Sequence, residues 1–162
     1  MKRKSILAIG LAAVLALALL YYLLPRSFSQ AMGGGFDLAQ VDQVDVLLSK
    51  IDAQGPGSQA STPLSPEDSR ALLEKLNSRS YFLLPGRKPN WEITLGYDVR
   101  LGFSYHGYSH YASLSFCGDS ELEVFGTAHH HPRTIRVSGD NAAFQRELLA
   151  LLLEAEGRTH GT

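Results

Sequence analysis

Apolar and polar positions follow three rhythms along this chain. The first is continuous. Residues 6–24 (ILAIGLAAVLALALLYYLL) form an apolar run of 19 residues without a charge. At 1.5 Å per residue, a helix over that run spans roughly 28 Å, close to the thickness of a bilayer's hydrocarbon core. Ala and Leu dominate it, and both are strong helix formers. The second rhythm is helical. Ser65 and Pro66 supply an N-cap and a first helical position, Asp68 completes the start, and Leu72, Leu73 and Leu76 form the buried stripe. Phe144, Leu148, Leu151, Leu152 and Ala155 repeat that spacing after Asp140, with Gly157 as the expected stop.

The third rhythm has period two. Trp91, Ile93, Leu95, Tyr97, Val99, Leu101, Phe103 and Tyr105 share one parity; Glu92, Thr94, Asp98, Arg100 and Ser104 share the other. One buried and one solvated face of an antiparallel sheet give this pattern. A bend near Gly96-Tyr97-Asp98 is expected to divide it into two strands, because single strands of that length are rare. Shorter strands are expected at 44–48, 80–84, 112–117, 121–125 and 134–137, with turns at Pro85-Gly86 and Gly118-Asp119-Ser120. Residues 54–64 (QGPGSQASTPL) read as a loop. The expected fold class is α+β: a mostly antiparallel sheet of about five or six strands with two helices packed on one face, preceded by one transmembrane helix.

Charge sharpens the reading of the N-terminus. Lys2, Arg3 and Lys4 precede the apolar run and Arg26 follows it. By the positive-inside rule the stub stays cytoplasmic and the remainder lies outside, with Tyr21 and Tyr22 at the far lipid–water boundary. The run reads either as a permanent single-pass anchor or as a cleaved signal peptide. Cleavage near Ala31, after Ser29-Gln30-Ala31, would release a secreted domain, and Ser27-Phe28-Ser29 offers a second site. The run exceeds the roughly 7–15 residues of a signal-peptide core, which favours the anchor. The domain plan is then an anchor or signal segment at 1–26, a flexible tether at 27–35 carrying Gly33-Gly34-Gly35, an extracytoplasmic domain at 36–157 and a frayed tail at 158–162.

The whole chain carries −1, but beyond residue 26 there are 11 Lys and Arg against 16 Asp and Glu, a net of −5. That balance gives no basic face for nucleic acid. A single cysteine, Cys117, forms no internal disulfide and reads as a small buried hydrophobe.

Candidate chemistry is sparse. His106 and His110 lie in one loop and His129, His130 and His131 in another; if the loops meet at one sheet end, two or three imidazoles could hold Zn²⁺ or Cu²⁺. Tyr105, Tyr108 and Tyr111, with Trp91, could form a rigid aromatic surface for a sugar or peptide. Gly118-Asp119-Ser120-Glu121 departs from the GDSL type of serine esterase at Glu121 and lacks the strand–turn–helix setting of a nucleophile. No phosphate loop, dinucleotide fingerprint or paired-cysteine motif is present.

The basic, apolar N-terminus, the opening strand, the helix from Ser65-Pro66-Glu67-Asp68 to Leu76-Asn77-Ser78 and the Trp91-led meander resemble small exported or membrane-anchored proteins of Gram-positive bacteria. The resemblance implies location and architecture and transfers no catalytic residue. The expected function is that of a membrane-tethered, non-enzymatic domain that binds a protein, peptide or envelope component. A metal-binding protein using the histidine loops is the alternative, and a small hydrolase at Ser120 stands last.

Overall fold

The structure, a computed structural model, describes residues 2–33, 35–52, 55–56, 61–84, 96–105, 108–117, 121–126 and 133–160. Helix α1 (Lys2–Leu23) holds all of the apolar run but Leu24, and the side chains from Ile6 to Leu24 are exposed. Among the described residues it is the one helix long and apolar enough to cross a membrane.

Helix α2 (Phe28–Met32) occupies the stretch expected to be a flexible tether. Its capping box explains why it forms. The Gln30 N–H donates to Ser27 Oγ at 3.3 Å, and the Ser27 N–H donates to Gln30 Oε1 at 3.0 Å. Phe28, Ala31 and Met32 lie at i, i+3 and i+4, so one face is apolar, and all three are buried.

The sheet is entirely antiparallel. Its strands are β1 (Gln43–Asp52), β2 (Gly55–Pro56), β3 (Thr62–Pro63), β4 (Tyr81–Leu84), β5 (Gly96–Tyr105), β6 (Tyr108–Cys117), β7 (Leu122–Gly126) and β8 (Arg133–Val137). Seven follow the order β2-β1-β5-β6-β7-β8-β4, and β3 pairs with β1 beside that path. Among the described residues, eight strands therefore stand where five or six were expected. Two of the extra pairings come from two-residue strands inside the stretch read as loop, too short for any periodicity to reveal.

Strand β5 begins at Gly96, the place of the expected bend, and residues 91–95 on its other side lie outside the described residues. Gly96, Tyr97 and Asp98 pair with Ile51, Lys50 and Ser49 in unbroken register with β1. The parity holds at Val99, Leu101, Phe103 and Tyr105, all buried. It fails at Ser104, expected to be solvated and instead buried between the flanking strands. Trp91, Ile93 and Leu95 lie outside the described residues.

Helices α3 (Pro66–Asn77) and α4 (Asn141–His160) bury Leu72, Leu76, Phe144, Leu148, Leu152 and Ala155. Ser65 caps α3, its Oγ accepting from the Asp68 N–H at 3.1 Å. Asp140 accepts from the Ala143 N–H at 2.9 Å at the start of α4. Gly139, at φ 97°, makes the turn into that helix in a conformation that favours glycine. Helix α4 continues through Gly157 to His160, where a stop and a frayed tail were expected. The core is completed by α2. Phe28 packs on Tyr81, Phe36 and Phe103 with ring centroids 5.3, 5.9 and 5.9 Å away. Tyr81 also approaches Phe144 on α4 and donates its hydroxyl to the Leu76 carbonyl at 2.7 Å. Burial pushes the Tyr81 phenol well above its ordinary range.

Phe28→Ala should lower stability by about 3–5 kcal/mol, as for other buried aromatics cut to alanine. Thermal melts of the full chain check this; a loss near zero would remove α2 from the core.

Candidate functional site

Two surfaces are described well enough to build from their residues. The first is an open cleft of about 520 Å³ between α3 and the segment that follows α2. Pro66, Ser69, Arg70, Leu73, Glu74 and Asn77 form one wall. Their spacing places them on a single face of α3. Opposite stand Ser29 and residues from the turn around Leu38–Gln40.

Local hydrogen bonds set that second wall. Asp37 accepts from the Ala39 N–H at 3.0 Å and from Gln40 Nε2 at 3.2 Å. The Leu38 N–H donates to Ser29 Oγ at 3.1 Å, and the Asp37 N–H donates to the Tyr105 hydroxyl at 2.5 Å. Leu38, Val41 and Leu73 are half-buried and pack on the core. Three carboxylates, Asp37, Asp42 and Glu74, and one cation, Arg70, line the cleft. An apolar floor under charged rims is how ligand clefts are commonly composed, and this volume falls within their usual range. At its edge, Asp68 accepts from Ser65 Oγ at 2.7 Å and pairs with Arg158 of α4. The Ser65 bond, with Arg158 adding to it, holds the Asp68 carboxyl below its ordinary value against the opposing effect of burial.

The second surface is the sheet face opposite the helices. Strand register aligns Leu47, Arg100, Ser115, Glu123 and Thr134 in one row, and Ser49 and Asp98 in the next. Arg100 donates to Asp98 at 3.1 Å. Ser49 Oγ and Asp98 Oδ1 are buried without a hydrogen-bond partner among the described residues. Phe125 is the large apolar side chain exposed on this face. The surface is polar, unlike an apolar docking face.

The residues singled out from sequence divide into three groups. Tyr105 is buried, stacked 5.6 Å from Phe36 with its hydroxyl on Asp37, so it serves the core and not an exposed aromatic surface. The backbones of Tyr108, His110 and Tyr111 lie in β6, so His110 stands in a strand and not in the loop expected to hold it with His106, and Tyr108 pairs with Tyr105. Trp91, His106, His129, His130, His131 and Ser120 lie outside the described residues. The strands nevertheless fix where the two histidine loops leave the sheet. Gly126, just before residues 127–132, pairs with Ala112, two positions after His110, so both loops emerge at one sheet end. Among the described residues, no group of three or more His, Cys, Asp or Glu could hold a metal ion.

Sequence reasoning missed the cleft because one wall depends on α2. The signals for α2 were present in Ser27-x-x-Gln30 and in the spacing of Phe28, Ala31 and Met32. No protein-family model, curated protein or solved structure matches this chain.

Glu123 gives a pH test of the polar face. Burial raises its carboxyl above 4.5, opposed by the nearby Arg100 charge. The native state then holds a proton that the unfolded chain has released, so stability falls as pH rises from 4.5 through the raised native value. Glu123→Gln should therefore raise the melting temperature at pH 7, with the gain shrinking as pH approaches 4. A gain that does not change with pH would contradict this.

Proposed function

We propose that the protein is a single-pass membrane-anchored domain, facing away from the cytoplasm, that binds a protein, peptide or envelope component. The observation that carries the reading is the contrast within one chain. Helix α1 exposes its apolar side chains from Ile6 to Leu24, while the domain beyond it closes a core of buried Phe, Leu, Val and Ile. A bilayer would cover that apolar surface at its own thickness. Lys2, Arg3 and Lys4 support a cytoplasmic N-terminus.

The cleft beside α3 is the binding surface favoured by this reading. Leu38, Val41 and Leu73 would take an apolar side chain, and the carboxylates of Asp37, Asp42 and Glu74 would take a neighbouring basic group. The test is photo-crosslinking in intact membranes from position 73, with position 115 on the polar sheet face as the comparison. An envelope partner captured from 73, and lost with Glu74→Lys, is the expected result. Capture equal at both positions, or none across repeated preparations, would end the reading.

The common exit of the two histidine loops favours a second reading, metal binding by His106, His110 and His129–His131. Titration calorimetry of the purified chain with Zn²⁺ and Cu²⁺ should then give heat beyond dilution at micromolar metal. Its absence would end the idea.

A further inference from the structure

We infer that the membrane helix is joined to the domain without slack, so that the bilayer holds one end of the sheet close and turns the other away. This rests on α1 being the membrane anchor. The Leu24 N–H still donates to the Leu20 carbonyl, at 3.0 Å. Two residues later Arg26 already belongs to the sheet: its N–H donates to the Tyr81 carbonyl at 2.9 Å, and the Tyr81 N–H donates to the Arg26 carbonyl at 2.8 Å. Only Pro25 lies between them, and a proline ring fixes φ. Arg26 also binds backward. Its Nη2 donates to the Tyr21 carbonyl at 2.9 Å, and its guanidinium sits 4.2 Å over the Tyr21 ring. Forward of it, Ser27 caps α2, and Phe28, Ala31 and Met32 enter the core. No residue from Leu20 to Met32 is left as a free linker.

The joint selects the sheet end nearest the bilayer. Tyr81 opens β4 and pairs with Val137 at the end of β8; the Ser138 N–H then donates to the Ser80 carbonyl at 2.8 Å. This corner adjoins the end of α1. Strand β5 has 10 residues, and at about 3.3 Å per residue it carries the opposite sheet end roughly 30 Å away. Gln43, Tyr105 and Tyr108 lie at that distal end; Gly126 and Arg133, level with Phe103 and Leu101 of β5, stop short of it on the side away from the joint. The strand ends that flank residues 106–107 and 127–132 therefore point away from the joint.

The test uses the full chain in nanodiscs containing a gadolinium-chelating lipid, in a Cys117→Ser background. Spin labels are placed at Ser138→Cys and Gln43→Cys, both exposed positions. Relaxation enhancement should be several-fold larger at 138 than at 43. An eight-residue Gly-Ser insert between Leu24 and Pro25 should equalise the two labels and leave the melting temperature unchanged. The same insert between Gln30 and Ala31 should lower the melting temperature by roughly 10 °C, because it splits α2 out of the core. Equal enhancement without any insert, in a chain that stays with the discs, would overturn the joint and leave the anchor reading standing. A chain that washes off the discs would remove the anchor and the joint together.

Discussion

The contact on which the structure most depends is the packing of Phe28 against Tyr81, reinforced by the paired backbone bonds of Arg26 and Tyr81. Tyr81 is shared by four parts of the fold. Its backbone opens β4 and pairs with β8, its ring meets α2 and α4, and its hydroxyl ends on the last turn of α3. A buried phenol needs such a partner, because an unsatisfied hydroxyl in this core would lose its bonds to water without replacement. Phe28 fills the space between this hub and the aromatic pair Phe36 and Phe103 on the other side. The segment that leaves α1 is therefore inside the domain's packing, and the domain is bound to α1 by its own core.

The surfaces follow from that arrangement. Because α2 is packed down, Ser29 can receive the Leu38 N–H, which holds the turn that faces α3 and opens the cleft. The helices cover one sheet face and leave the other to Asp98, Arg100, Ser115 and Glu123, where partial burial keeps the Glu123 carboxyl protonated to higher pH than usual. Outer ion pairs such as Lys75 with Glu147 tie α3 to α4 across solvent and contribute little beyond orientation. Stability rests on the aromatic and aliphatic interior, in a chain whose single cysteine can form no internal disulfide.

Much of this layout was legible in the pattern of side chains. Ser65 and Pro66 mark the start of α3, the leucine spacing marks α3 and α4, and alternation marks β5 with its buried parity. What escaped has physical reasons. Gly33-Gly34-Gly35 gives residues 27–35 the composition of a linker, while the ordering of α2 comes from tertiary burial of Phe28, which composition does not register. Gly96 suggested a break, yet it opens β5 in register with Ile51, and β1 supplies partners from Gly96 to Ser104. Gly157 suggested a stop, yet α4 continues, and Arg158 there pairs with Asp68. Tyr105 looked like a surface ring because its neighbours are polar; the fold turns it inward, to receive the Asp37 N–H. The cleft joins residues more than 30 positions apart, which no local pattern encodes.

The central claim is that the residues following α1 are part of the folded core and stay joined to it. N-terminal sequencing and intact mass of the protein extracted from native membranes test this most directly. The account predicts a mature chain that still contains Arg26 and Phe28 and the apolar run before them. A mature chain beginning at Met32, folded and stable without Phe28 and Ala31, would contradict it.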